Sequence, residues 1–315
     1  MTNSGTTASG SNKYRSRSKF LFLGVSLVLM ACLVGCRSRH TASLALLGDL
    51  MLARGINPGP DSLSYLGSDI SVADLAMANL ESPLAPIPPE TESTYNLCAF
   101  SGHASLLDAW GFDLLSLANN HALDCSQDGI AITISALDAA GIQSIAPGSE
   151  PVLREVNGLK LAFLAFDDVS SPLDETTAET AIRSARDDGA QVIVSVHWGM
   201  EYQGSPSDRQ ESLAQAFARA GAALIWGHHP HVLQRVDWIE SEGRKTLILY
   251  SLGNALFDQG GLADTRRSAL AVVTIGPSGV ESVHAVPFAI DVPHSRLEAP
   301  DASTLQKVQD SLQLP

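Results

Sequence analysis

From Leu44 onward the chain alternates apolar runs of strand length with amphipathic stretches that end in glycine. The apolar runs fall at Leu44–Leu47, Ala73–Leu80, Phe112–Leu117, Leu159–Phe166, Gln191–Val196, Ala222–Trp226, Thr246–Tyr250 and Ala269–Ile275. Helical periodicity fits Ser105–Trp110, Gln127–Ala140 and Ser207–Ala220, with Gly111, Gly141 and Gly221 placed as stops. A helix that ends in glycine just before the next strand predicts αβ units, and continuous apolar strands predict sheets covered on both faces. Gly276-Pro277-Ser278-Gly279 reads as a hairpin turn, and a short terminal helix fits Ser303–Leu312. The Pro-rich stretch Ser82–Pro89 and its continuation to Asn96 form a loop that could border a cleft.

Polar clusters stand where these runs end. They are Gly48-Asp49, Asn79-Leu80-Glu81, Asn119-Asn120-His121, His197-Trp198-Gly199-Met200-Glu201 and His228-His229-Pro230-His231. Ligands of α/β layers sit beyond the carboxyl ends of strands, so carboxylate, amide and imidazole groups recurring there point to one shared metal-binding or catalytic centre. Gly48 permits close backbone approach beside Asp49. Asn79 shares a strand face with Glu81, either as a partner of that carboxylate or as a buried hydrogen-bonding group. Asn120 is either a turn residue or an amide ligand, and His121 is placed to supply a proton to a leaving oxygen. His197 ends a strand and is a ligand or a proton donor. Glu201 is either a solvated loop acid or a carboxylate orienting an imidazole. On an extended segment His229 and His231 would point to one side and reach one ion together, with His228 facing elsewhere. Gly-rich phosphate loops, a Gly-x-Ser-x-Gly elbow and paired zinc-type cysteines are all missing from the sequence.

The N-terminus changes this picture by adding an address. Lys13, Arg15, Arg17 and Lys19 precede an apolar run from Phe20 to Val34, the layout of a secretory signal. Its end, Leu33-Val34-Gly35-Cys36, resembles the lipobox of bacterial lipoproteins, which implies cleavage before Cys36 and lipidation of that cysteine. An ordinary N-terminal anchor with an incidental cysteine is the other reading. The expected organisation is a signal peptide over 1–35, a tether over 36–43, one domain over 44–290 and a C-terminal tail over 291–315. The expected place is the cell envelope, outside the cytoplasm and held to a membrane by lipid.

Composition then narrows the partners. The 315 residues are 45% hydrophobic and 17% charged, enough apolar material for a large core. Four cations and no acids precede Cys36, so their removal takes the formal charge from −14 to −18. Such a surface excludes nucleic acid as a partner. Cys98 and Cys125 remain after the signal, and either a disulfide or two separate buried thiols fits them.

Taken in order, the motifs resemble those of a known family. Gly48-Asp49-Leu50-Met51-Leu52, Ala78-Asn79-Leu80-Glu81-Ser82-Pro83 and Leu117-Ala118-Asn119-Asn120-His121-Ala122-Leu123-Asp124 carry the likeness. So do Val196-His197-Trp198-Gly199-Met200-Glu201-Tyr202, Gly227-His228-His229-Pro230-His231-Val232 and Tyr250-Ser251-Leu252-Gly253-Asn254. They resemble the poly-γ-glutamate capsule biosynthesis protein CapA (PgsA) family, from about Leu44 to Phe257. The resemblance implies an α/β fold similar to the calcineurin-like metallophosphoesterases: a four-layer sandwich of two mixed β-sheets flanked by helices. It also implies metal-ligand positions at Asp49, Glu81, Asn120, His197, His229 and His231, with His121 as the proton-donating histidine. Asn79, Glu201 and Asn254 would support them. The phosphoesterase pattern has a histidine where this chain has Met51 and an aspartate where it has Glu81. The implied cofactor is therefore one or two divalent ions, manganese, iron or zinc.

The function expected on these grounds is a lipid-anchored envelope protein assisting synthesis or export of an anionic polymer such as poly-γ-glutamate. It would work through a metal-dependent, hydrolase-like site, with a polymer-synthesis complex in the membrane as partner. The alternatives are a periplasmic metallophosphoesterase acting on a small phosphate ester and a scaffold subunit without chemistry.

Overall fold

The computed structural model describes residues 40–90 and 93–313. The signal segment and the first half of the tether, including Cys36, lie outside them.

The strands run β1 (Ala42–Leu50), β2 (Leu75–Leu80), the short pair β3 (Leu84–Ala85) and β4 (Ala99–Phe100), β5 (Leu114–Ser116), β6 (Gln143–Ile145), β7 (Val152–Val156) and β8 (Leu159–Asp167). They continue as β9 (Gln191–His197), β10 (Ala222–His228), β11 (Val236–Ser241), β12 (Arg244–Leu249), β13 (Asn254–Leu256), β14 (Arg267–Gly276), β15 (Gly279–Asp291) and β16 (Arg296–Glu298). The helices are α1 (Gly67–Val72), α2 (Ala104–Ala109), α3 (Gly129–Ala139), α4 (Glu175–Asp187), α5 (Asp208–Ala220) and α6 (Ala302–Leu312).

Two mixed sheets result. The larger is ordered β16-β15-β14-β1-β2-β5-β6, with β13 also paired to β1; the smaller is ordered β11-β12-β10-β9-β8-β7. Strand periodicity sorts their side chains into three apolar layers. Leu44 and Leu46 of β1 face Phe163, Ile193, Leu224 and Trp226 of the smaller sheet, forming the middle layer. Ala45 and Leu47 point the other way, with Ile70, Leu107 and Leu137 of α1, α2 and α3. Val192, Val194 and Val196 of β9 pack under Ile182 of α4 and Leu213 and Phe217 of α5. This is the expected helix–sheet–sheet–helix order, a mixed α/β fold.

Local chemistry explains the boundaries. Ser207 and Gln210 form a capping box at the start of α5, and Gly221 closes it at φ 109, which a side chain would disfavour. The Gly276↔Gly279 pair closes the β14–β15 hairpin where the turn was expected. Helix α4 has no counterpart among the predicted elements. Its buried stripe is only Ala178, Ile182 and Ala185, and Asp174 caps it by accepting from the Thr176 and Thr177 amides. The segment read as a C-terminal tail also carries structure: β16 pairs with β15, and α6 buries Val308 and Leu312 in the middle layer.

Candidate metal centre

Parallel pairing brings the polar clusters together at one end of both sheets. Asp49 of β1 stands in register with Asn79 of β2, and His197 of β9 with His228 of β10. The β1–β14 ladder runs from Ala42↔Ile275 to Leu46↔Ala271, after which β13 takes over with Asp49↔Asn254. That exchange places Asn254 beside Asp49. Gly48 lies at the exchange point, where an added Cβ would collide with the Gly253 carbonyl oxygen.

A chain of amides then fixes the acids. Asn79 Nδ2 donates to Asp49 Oδ1 at 2.8 Å and lies 3.4 Å from His197 Nδ1. Asn119 Nδ2 donates to Asn79 Oδ1 at 3.2 Å and to the Leu80 carbonyl at 3.0 Å, and its Oδ1 accepts from the His121 amide. Asp49 Oδ2 accepts from the His229 amide at 3.0 Å. Two clusters that are far apart in sequence thereby hold one carboxylate.

Three potential ligand atoms converge at His197. Its Nε2 lies 2.8 Å from Asn120 Oδ1 and 3.2 Å from His229 Nδ1. Burial holds the His197 imidazole well below its usual value and His229 down to about 4, so both rings are neutral, the form that binds metal. The other nitrogen of His231 is oriented as a ligand would require. Asn254 gives both amide hydrogens to Gln259 and the Thr265 carbonyl, so its Oδ1 accepts from His231 Nδ1 at 2.9 Å. His231 Nε2 is left 3.8 Å from Glu81 Oε1.

His229 and His231 do not converge through an extended backbone as expected. They adopt φ 95 and φ 57, left-handed values that are strained for side-chain-bearing residues. The turn is held by bonds at both ends: the His228 carbonyl accepts from the Trp198 amide, and the Pro230 carbonyl accepts from the Tyr202 amide at 2.8 Å. Strain kept in place this way at a polar cluster is a mark of functional geometry.

Glu81 tests whether the residues fit a cation. Its carboxylate is fully buried, and neither oxygen has a hydrogen-bond partner among the described residues. Burying an unpartnered carboxylate is costly, and burial raises this one to about 8, with Asp49 adding to the rise and His231 and Arg54 opposing it. Burial alone would lower His231, but the charges of Glu81 and Asp49 outweigh it and raise the ring to about 9. Burial alone would raise Asp49, yet the hydrogen bond and charge of His231 hold it well below the carboxylate range. Asp49, Glu81 and His231 present ligand atoms within 4.8 Å of one another, and Glu201, His229 and His231 do the same. A divalent ion would satisfy the orphaned oxygens, so the donor set fits a metal.

Glu201 is exposed, and its carboxylate lies within 4.8 Å of ligand atoms of two imidazoles, His229 and His231, rather than behind one. His121 Nδ1 pairs with Asp124 Oδ2 at 2.8 Å, leaving Nε2 3.8 Å from Glu81 Oε1. Met51 is buried in the helix-covered layer, its sulfur accepting from the Ala53 amide. Residues that the motifs contain but that were given no role at the centre complete the arrangement. Asn119 links His121 to Asn79, the partner of Asp49, and Asp124 orients His121. His228 packs edge-on against Trp226 with Nδ1 3.6 Å from Asp49 Oδ1. A double asparagine and a double histidine were the available signals. The cleft above, of about 500 Å³, is lined by His121, Glu201 and His231 and walled by Ser93, Thr94 and Tyr95 of the loop expected to border it. Cys98 and Cys125 form a disulfide that ties the base of that loop to the segment after His121. Asp124 joins the same two segments, accepting from the Leu97 amide at 2.6 Å.

All the clustered residues, from Asp49 to Asn254, fall inside a stretch, residues 43–259, that matches the family described as bacterial capsule synthesis protein PGA_cap. The chain belongs to this family. It is 32% identical to the PGA biosynthesis protein CapA of Bacillus subtilis (strain 168) over 291 residues, 84% of this chain and 74% of that one. It is 30% identical to the capsule biosynthesis protein CapA of Bacillus anthracis over 287 residues, 81% of this chain and 69% of that one. A probable polyglutamine synthesis accessory protein of Mycobacterium tuberculosis is 25% identical over 177 residues, 47% of this chain and 46% of that one. A hypothetical protein of Thermus thermophilus shares the fold, with a TM-score of 0.53 at 17% identity over 78% of this chain and 99% of that one.

Proposed function

We propose that this PGA_cap family member is a lipid-anchored protein of the cell envelope that assists synthesis or export of poly-γ-glutamate or a similar anionic polymer. It would act through a metal-dependent, hydrolase-type site. The observation that carries the metal-site reading is Glu81, a buried carboxylate with no hydrogen-bond partner among the described residues, grouped with Asp49 and His231. The names of the Bacillus relatives support the polymer, and the basic flank, apolar run and Cys36 support the anchor. A synthesis complex in the membrane is the partner this placement suggests.

Asp49, Glu81 and His231 would hold one ion, and Asn120, His197, His229 and Glu201 could hold a second; manganese, iron and zinc all suit such donors. A bound divalent cation supplies Lewis acidity at the bond to be cleaved and makes water a better nucleophile. The chain's own residues do the rest. Asn79, Asn119 and Asn254 keep the ligating groups in place, and the neutral imidazoles of His197 and His229 need shed no proton to ligate. His121, steadied by Asp124, directs Nε2 into the site and would protonate the leaving group.

Elemental analysis of the purified full chain beside a His229→Ala/His231→Ala variant tests the centre. Stoichiometric metal that disappears in the variant upholds it; none in the wild type, even after reconstitution, leaves a scaffold. Lipid labelling tests the anchor, since Cys36→Ser should accumulate uncleaved, unlabelled precursor. Labelling of that variant at the wild-type level would end the lipoprotein reading.

A further inference from the structure

Arg54 is the only lysine or arginine among the described residues lining the cleft over the metal centre. It stands in the loop after β1 at φ 52, a left-handed value that a residue with a side chain adopts only where its surroundings impose it. Those surroundings grip the guanidinium on three sides. Asp258 accepts from Nη2 and, at 3.4 Å, from the Gly55 amide. The Thr94 carbonyl accepts from Nη1 at 2.6 Å, and the guanidinium carbon lies 5.5 Å from the centre of the Phe257 ring. These two hydrogen bonds occupy two of the five N–H donors of the fork, and a quarter of the side chain remains open, at 25% exposure.

An ion pair with Asp258 alone explains neither the strained backbone nor the position at the cleft wall. A rigid, partly open guanidinium beside a metal site suits bidentate capture of an oxyanion. Charge supports the same conclusion. The chain beyond Cys36 carries a formal −18, so an anionic ligand is repelled by most of the surface, and Arg54 is the cation placed to receive it.

We propose that Arg54 is the specificity-determining residue of the site: the donors that no described residue engages take an oxyanion of the substrate while the metal centre holds the bond to be cleaved. The assignment rests on the reading given under Proposed function. The oxyanion is either a carboxylate of a polyacid, such as the free α-carboxylates of γ-linked glutamate, or the phosphate of an ester.

Calorimetric titration of the full-length wild type, Arg54→Gln and Arg54→Lys separates these possibilities. The probes are a short γ-linked glutamate oligomer, the same oligomer with its carboxylates amidated, and inorganic phosphate. Metal content and thermal unfolding are measured on each protein. Loss of a charge-assisted bond predicts about tenfold to a hundredfold weaker anion binding in Arg54→Gln. Arg54→Lys should recover part of it, and metal content should stay at the wild-type level. An Arg54 dependence seen with the acidic oligomer alone identifies the carboxylate, and with phosphate alone the ester. If Arg54→Gln unfolds, Arg54→Gln/Asp258→Asn removes the pair as a unit and is read in the same way. Unchanged anion binding in the variants overturns the assignment. So does a wild type that binds neither anion, or one that binds the amidated oligomer as tightly as the acid. A wild type without metal defeats the metal reading separately, and anion binding that still depends on Arg54 in that protein would uphold this assignment.

Discussion

The two sheets contribute different chemistry to one centre. The larger supplies acids and amides: Asp49 from β1, Asn79 and Glu81 from β2 and the turn after it, Asn119 and Asn120 after β5, and Asn254 from β13. The smaller supplies imidazoles: His197 from β9, His228 from β10, and His229 and His231 from the turn beyond. The smaller sheet also brings the Glu201 carboxylate to His229 and His231, but the fully buried trio of Asp49, Glu81 and His231 draws on both sheets. The difference teaches that the site is a property of the middle layer, because packing between the sheets sets the distance from acids to imidazoles. Two buried bonds cross that layer close to the site. Trp226 Nε1 donates to the Leu47 carbonyl at 3.0 Å, and Ser195 Oγ donates to Ser116 Oγ at 2.8 Å.

The sharpest way to break this comparison sets one core layer against another. Trp226→Ala in the middle layer and Phe217→Ala in the outer layer should each cost about 3–5 kcal/mol in chemical denaturation. Only Trp226→Ala should also weaken metal binding by the folded protein. Equal loss of metal affinity in both variants would show that the layers do not differ in this respect. Gly48→Ala should cost roughly 3 kcal/mol or more, because its Cβ meets the Gly253 carbonyl at the point where β1 exchanges β14 for β13. A Tm unchanged from wild type would contradict that account of the exchange.

Glu81→Gln should act in the opposite direction on the metal-free protein. Because its pKa rises from 4.5 unfolded to about 8 folded, Glu81 carries no penalty below about pH 4.5 and a growing one as the pH climbs to 8. The variant should therefore be more stable than wild type at pH 8, on the order of 1–3 kcal/mol, with little difference at pH 4.5. Without metal, Glu81 and His231 titrate at about 8 and about 9, and both must shed protons to ligate. Metal affinity should rise from pH 6.5 to 9, by up to about 1.4 kcal/mol per pH unit for each proton released. A flat calorimetric profile across that range would exclude either group from the ligand set.

Much of the fold was legible because the strands are buried on both faces and read as unbroken apolar runs, as in Gln191–Val196 and Ala222–Trp226. Helices with a strong stop, such as α5 before Gly221, were equally visible. Helix α4 was not, since Ala178, Ile182 and Ala185 make a thin stripe among polar residues. Strand β13 was too short to register, although it delivers Asn254. At the site the residue types were legible and the geometry was not. His229 and His231 meet through a strained left-handed turn that alternation along a strand cannot anticipate. The links Asn79–Asn119 and His121–Asp124 depend on loop conformations set by tertiary contacts, including the Cys98–Cys125 disulfide.

The central claim is that Asp49 and Glu81 from one sheet and His231 from the other surround a metal-binding position. Anomalous diffraction from crystals of the protein grown with manganese tests it most directly. The account predicts a peak bonded to Asp49, Glu81 and His231 at about 2.0–2.3 Å. Glu81 left without a partner under saturating manganese, or a peak confined to surface acids, would contradict it.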